Sequence, residues 1–371
     1  MKIIVSGGGT GGHIYPAITL IRAIQAKAPE AQFLYVGTEH GLEADIVPKE
    51  GIPFETVELQ GFERHITLSN LKRAGKAMAG VAKAARIVKR FRPDAAIGTG
   101  GFVCGPILLA ASLMGVPSLI QEQNVVPGIT NRILSKFVTR IAVGTEAAAR
   151  RFPRSKAVYT AKPIRHEVLT ASREEALRTF GFDGEKPVVL VSGGSRGARA
   201  INRAMVDVLR EAKDRPEVQF LHVTGKLEYE DVMKRLQDAG VELSSCPHLR
   251  VEPYLYQMPQ AMAMADIAVF RAGATGLAEL TARGIPAILV PYPYAAENHQ
   301  EFNARELEKA GAARVILNRD LTSEALGNAL KEMLSDSDGR KRMAERCKAM
   351  GRPRATEEIA ELVLELATKH G

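Results

Sequence analysis

The tetrapeptide Val-Ser-Gly-Gly occurs twice in this chain, at Val5–Gly8 and again at Val191–Gly194. Each copy closes a short apolar run and precedes a stretch with helical spacing. Bare backbone directly after a strand is what the first strand-to-helix turn of a doubly wound sheet uses, because a ligand must approach it closely. Two copies at equivalent places predict an α/β chain made of two Rossmann-like halves.

The rest of the pattern agrees. Apolar runs at 3–5, 33–36, 95–97, 118–120 and 141–143 form a first series. Runs at 188–191, 220–223, 267–270 and 287–290 form a second. Helix-like stretches separate them, which is the signature of parallel β-α-β units. A length of 371 residues suits two domains. The linker is placed at "VYTAKPIRHEV", where Pro163 stops regular structure. The first domain is therefore predicted over 1–163 and the second over 164–352. A last helix, 356–368, carries Ile359, Leu362, Val363 and Leu366 on one face and must pack on something.

Several classes are disfavoured. No apolar run is long enough to span a bilayer, and the N-terminus begins as a strand with no signal-peptide pattern. Cys104, Cys246 and Cys347 are isolated, which argues against a zinc site or disulfide framework and fits a reducing cytosol. Asp336 and Asp338 suit a turn that caps a helix better than a metal site. No catalytic metal is expected.

The net charge of +8 is local. Nine Lys/Arg and no Asp/Glu lie between Arg64 and Pro93, and the remainder is close to neutral. On a helical wheel Lys72, Lys76, Lys83, Arg86 and Arg90 share one arc, and Met78, Val81, Ala85 and Val88 another. A helix with its apolar face in the core accounts for part of this. A face of one sign further suggests an anionic membrane surface. Nucleic acid is not expected, since aromatic residues are only 5% and no binding motif is present.

Gly7, Gly9 and Gly12 satisfy G-x-G-x-x-G, a weak sign of a dinucleotide, for which Glu39 is the acidic candidate. His13 follows the loop; it is either a structural hydrogen-bonding residue or an acid/base group. A helix N-terminus disfavours a charged imidazolium and so helps keep it a proton acceptor. "GTGGF" at Gly98–Phe102 gives a second backbone cradle, and "QEQN" at Gln121–Asn124 a polar strand end suited to sugar hydroxyls or to a plain loop. In the second half "GGSRGA" (Gly193–Ala198) offers Ser195 and backbone N–H groups to phosphate. "RAGATGLAE" ends in Glu279, either a ribose-binding carboxylate or a solvated helix residue.

Taken in order and spacing, "GGGTGGH", "GTGGF", "EQN", "KPIR", "GGSRGA", "RAGATGLAE" and "PYPYAAENHQEFNA" make nearly the whole chain resemble the MurG family. These are bacterial N-acetylglucosaminyltransferases that complete the lipid-linked peptidoglycan precursor. The resemblance implies the GT-B fold: two Rossmann-like domains facing a cleft, with the terminal segment, about 353–371, crossing back to the first. It implies an inverting transfer from UDP-N-acetylglucosamine to the C4 hydroxyl of undecaprenyl-pyrophosphoryl-muramoyl-pentapeptide, at the cytoplasmic face of the membrane and without a cofactor. His13 would be the base or would orient the nucleophile. Thr10, Gly11, Gly12, Asn124, Arg165, Ser195, Leu255, Ala274, Thr275, Gly276, Leu277, Ala278, Glu279 and Gln300 would bind the donor. Gly9, Gly100, Gly101, Phe102 and Glu122 would meet the acceptor. The chain departs from the family pattern at Gln121, Lys162, Arg196, Phe270 and Gly276.

Overall fold

The computed structural model describes residues 1–57, 68–194, 196–295 and 298–368; within the helix Leu68–Phe91, side chains are described from Ala79 onward. The chain divides into two compact units, Met1–Pro163 with Arg354–Gly371, and Ile164–Pro353.

The first unit is built on the strands β1 (Lys2–Ser6), β2 (Gln32–Gly37), β3 (Phe54–Thr56), β4 (Ala95–Gly98), β5 (Ser118–Glu122), β6 (Arg140–Val143) and β7 (Ala157–Tyr159). They form one parallel sheet in the order β3-β2-β1-β4-β5-β6-β7. The second unit uses β8 (Val188–Ser192), β9 (Gln219–Val223), β10 (Leu249–Glu252), β11 (Ile267–Phe270), β12 (Ala287–Leu289) and β13 (Ala313–Val315). Its parallel order, β10-β9-β8-β11-β12-β13, repeats that of the first sheet. The two Val-Ser-Gly-Gly copies thus end β1 and β8, the strands at which each order reverses. Loops leaving the carboxyl ends of strands on either side of such a reversal diverge and leave a crevice for a ligand.

Every strand identified from its apolar run is present. The four that the pattern did not reveal, β3, β7, β10 and β13, are the edge strands of the two sheets. They are three or four residues long and half-exposed in part, so each lacks the continuous apolar run of a strand buried on both faces.

Each sheet is covered on both faces. In the first unit, Ile14, Leu20, Ile21 and Ile24 of the helix Gly11–Lys27 pack with Ile359, Ala360 and Val363 of the helix Ala355–Thr368. The terminal helix therefore closes one face of this sheet, helped by a Lys27–Glu361 ion pair at 2.8 Å. The opposite face is covered by Ala84, Ile87 and Val88 together with the apolar helix Cys104–Leu113. The buried stripe of the basic helix is thus turned from the expected one: Ala84 and Ile87 are inside, while Val81 and Ala85 are half-buried. Lys83 and Arg86 lie on its exposed side, but Arg90 forms an ion pair with Glu55. The Lys72 and Lys76 side chains lie outside the described residues. Asp336 caps the helix Ser337–Ala349, accepting from the Gly339 N–H at 2.8 Å.

Candidate active site

Four helices follow glycine turns at the carboxyl ends of strands: Gly11–Lys27, Cys104–Leu113, Arg199–Ala212 and Ala274–Arg283. None has a side-chain cap or an acidic residue in its first turn. Side-chain caps are found instead at Thr145, Ser172, Thr322 and Asp336. An uncapped first turn presents backbone N–H donors and the positive end of the helix dipole, which together suit a phosphate.

In the first unit the two glycine turns meet at His13. Its Nδ1 lies 3.1 Å from the Gly8 carbonyl and 3.3 Å from Thr10 Oγ1. A carbonyl only accepts, so Nδ1 carries the proton and Nε2 is the basic nitrogen of the neutral ring. Thr99 Oγ1 donates to the His13 carbonyl at 2.7 Å, which ties the start of this helix to the turn after β4. That second turn closes over the imidazole: a Cβ on Gly100 would sit 2.7 Å from His13 Cδ2, and Gly100 has φ +111°. A Cβ on Gly101 would meet the Gly8 carbonyl oxygen at 2.3 Å. The ring fits only because the second turn has no side chains there. Phe102, an exposed aromatic, stands beside Gly9.

Gly9, expected to meet the acceptor, has its N–H turned inward. Its N–H donates to Glu43 Oε2 at 3.1 Å, and Glu43 also accepts from the Thr38 N–H and hydroxyl at 3.1 and 2.6 Å. Glu43 is wholly buried. The donors that remain exposed on this loop belong to its helical end, around Thr10 and Gly12. Glu39, the acidic candidate for a dinucleotide, is exposed beyond β2. Tyr35 completes the floor by donating to the Gly7 carbonyl at 2.5 Å; burial and the neighbouring Glu43 carboxylate hold its phenol well above the usual range.

Glu122 is likewise internal. Its carboxylate accepts from the Asn124 N–H at 2.9 Å, the Gly128 N–H at 3.1 Å and Asn131 Nδ2 at 2.9 Å, and it is 3% exposed. These bonds shape the Gln123–Gly128 loop and leave Asn124 half-buried at its start. Gln121 is buried with neither end of its amide hydrogen-bonded within the protein. The Lys162 stem lies against Gly144, where a Cβ would sit 2.7 Å from its Cγ. Burial lowers its amine to about 8, and the Glu122 charge opposes that shift.

In the second unit two anticipated residues, 114 positions apart, are in contact: Arg165 Nε donates to Glu279 Oε1 at 2.7 Å. Glu279 is 5% exposed by its side chain, so it is not on a solvated helix face. Ala274, Thr275, Gly276, Leu277 and Ala278 form the turns ahead of it. Thr275 Oγ1 is buried without a hydrogen-bond partner in the protein. Phe270 and Gly276, noted above as separate departures, are neighbours: a Cβ on Gly276 would lie 3.6 Å from the Phe270 ring, in ordinary contact, so atoms beyond that Cβ compete with the ring for space. Leu255 is half-buried at the edge of the core. Gln300 pins its own loop, accepting from the Tyr292 N–H at 3.0 Å. Arg196 is exposed. Ser195 lies outside the described residues.

Two features escaped the sequence reading, Glu43 and Lys162 as a buried charge. Glu43 follows β2 within "GTEHGLE", four positions beyond the exposed Glu39. Among the described residues there is no cluster of three potential metal ligands and no helix long and apolar enough to cross a membrane.

Two parallel sheets of this order, each followed by glycine turns and uncapped helices, define a protein of the GT-B fold. The N-terminal and C-terminal domain models of glycosyltransferase family 28 match residues 3–143 and 188–359. The chain belongs to that family, and within it to the MurG enzymes of peptidoglycan synthesis. It is 47% identical, over 98% of both chains, to a UDP-N-acetylglucosamine–N-acetylmuramyl-(pentapeptide) pyrophosphoryl-undecaprenol N-acetylglucosamine transferase from Desulforamulus reducens. The crystal structure of Acinetobacter baumannii MurG is similar, with a TM-score of 0.77, 27% identity and coverage of 98% of this chain and 99% of that one. A UDP-N-acetylglucosamine 2-epimerase from Neisseria meningitidis shares the fold at a TM-score of 0.69 and 15% identity, covering 98% and 100%.

Proposed function

We propose that this protein transfers N-acetylglucosamine from UDP-N-acetylglucosamine to the C4 hydroxyl of undecaprenyl-pyrophosphoryl-muramoyl-pentapeptide, with inversion at the anomeric carbon. The observation that carries the reading is His13, held by both glycine turns with Nδ1 on the Gly8 carbonyl, which makes Nε2 the proton acceptor. As the C4 oxygen attacks, Nε2 takes its proton. The uncapped helices Arg199–Ala212 and Ala274–Arg283 stabilise the departing diphosphate with backbone N–H groups. Glu279, oriented by Arg165, receives the ribose hydroxyls. Thr10, Gly11, Gly12 and Asn124 meet the transferred sugar, and Gly100, Gly101 and Phe102 the acceptor. The relatives' printed activity, at high identity over the whole chain, supports the same assignment.

The acceptor's lipid keeps the reaction at the membrane. Lys72, Lys76, Lys83 and Arg86 are proposed to hold the first unit to anionic headgroups on the cytoplasmic face. The test of the function is transfer to a short-chain lipid acceptor in excess EDTA, with product identified by mass and linkage. A β-linked disaccharide product and UDP are expected. A strict requirement for added divalent metal would overturn the metal-free leaving-group assistance. Conversion of the donor to its 2-epimer, with no disaccharide, would overturn the transferase reading.

A further inference from the structure

The peptide group between Gly8 and Gly9 has a charged residue at one end and the candidate base at the other. Its N–H belongs to Gly9 and donates to Glu43 Oε2 at 3.1 Å. Its C=O belongs to Gly8 and accepts from His13 Nδ1 at 3.1 Å. A planar trans peptide points these two groups in opposite directions. Fixing the N–H therefore fixes the line along which the carbonyl meets the imidazole. We propose that Glu43 is a positioning residue for His13, acting through this single peptide group. The proposal rests on the reading of His13 as the base.

Glu43 is built for such a task. It is 0% exposed, yet no ion pair to it exists among the described residues. A buried carboxylate without a cation is expensive unless donors satisfy it, and here they are the Thr38 N–H, the Thr38 hydroxyl and Gly9. Its side chain is threaded between backbones. A Cβ on Gly8, Gly37 or Gly41 would lie 2.6, 2.7 or 2.2 Å from its atoms. Three glycines, one after β1, one at the end of β2 and one before the helix, thus make room for one carboxylate. The helix that carries it, Leu42–Lys49, begins at Gly41, so the side chain turns back toward β1 and β2 rather than out to solvent. Its charge polarises the peptide, strengthens the Gly8 carbonyl as an acceptor, and favours the Nδ1–H tautomer that leaves Nε2 basic. A carboxylate oriented on a histidine is a familiar arrangement in catalysis; here the contact passes through the backbone.

The decisive variant is Glu43→Gln. Its carbonyl can keep both Thr38 donors, but its NH₂ faces the Gly9 N–H, donor against donor. We expect kcat to fall about 10- to 100-fold, with donor KM within about twofold because the donor's diphosphate and ribose contacts lie in the second unit. In a His13→Ala background Glu43→Gln should cost nothing further, since its effect passes through the ring. Losses that multiply, or a Glu43→Gln kcat within twofold of the parent, overturn the proposal. If Glu43→Gln does not fold, Glu43→Asp takes its place in the same cycle: it keeps the charge and loses the reach to Gly9. Nitrogen-15 shifts of the His13 ring give a readout independent of turnover. The parent should show protonated Nδ1, and Glu43→Gln a larger share of protonated Nε2; an unchanged ring overturns the proposal whatever the kinetics. If His13→Ala alone leaves kcat intact, the base reading fails, and the ring shifts still decide whether Glu43 sets the tautomer.

Discussion

Lys162 should make this protein less stable at neutral pH than a variant without its charge. Burial lowers the amine from 10.5 to about 8. Both folded and unfolded chains carry the charge below pH 8, so the full desolvation penalty applies there. From 8 to 10.5 the unfolded chain stays protonated while the folded one does not, and stability rises with pH. Above 10.5 neither is charged and the penalty is gone. At about 1.4 kcal/mol per pH unit, a gap of some 2.5 units corresponds to about 3 kcal/mol at pH 7, falling to about 1 kcal/mol at pH 9.5. Lys162→Met, which keeps most of the stem packed on Gly144, should therefore be more stable by these amounts in urea titrations at the two pH values. A gain that does not shrink with pH would mean packing, not charge, is at stake. A loss of stability at both would show that the amine is satisfied, and would refute the reasoning.

Three further outcomes follow from the geometry. Glu279→Ala should weaken UDP-N-acetylglucosamine by about 1–3 kcal/mol through loss of a charge-assisted ribose contact, measured by calorimetry, with folding unchanged; unaltered affinity would restrict Glu279 to holding Arg165. Gly276→Thr should lower donor affinity and melting temperature by crowding Phe270, and Phe270→Ser in the same chain should restore both; additive damage would separate the two positions. Replacing Lys72, Lys76, Lys83 and Arg86 with Gln should abolish sedimentation with anionic vesicles, at roughly 1 kcal/mol per charge, while Arg90→Gln alone changes little because Arg90 is paired with Glu55. Binding that survives the fourfold change would place the docking surface elsewhere.

How much was legible in the sequence follows from where each group sits. Central strands such as β1, β4, β8 and β11 are buried on both faces and read as unbroken apolar runs. The edge strands face solvent in part and carry residues such as Glu55 and Arg250, so no run betrays them. Glycine turns were visible because only glycine admits a neighbouring backbone or ring so closely, as Gly100 does for His13. What a polar residue does was less legible. Glu122 and Gly9 look like ligand groups in a one-dimensional reading, but the fold folds their polar atoms inward onto Asn131 and Glu43. Arg165 and Glu279 were each anticipated, yet their pairing is a tertiary contact across 114 residues and leaves no local pattern.

The central claim is that two glycine turns hold His13 as the base of a glycosyl transfer. Its most direct test is the kcat of His13→Ala with UDP-N-acetylglucosamine and a short-chain lipid-linked muramoyl-pentapeptide, alongside the parent over a range of pH. The account predicts a kcat lower by about 10²–10⁴, an unchanged donor KM, and loss of the acid limb of the profile. A kcat within a few-fold of the parent, or a defect confined to acceptor KM, would contradict it and reduce His13 to a positioning group.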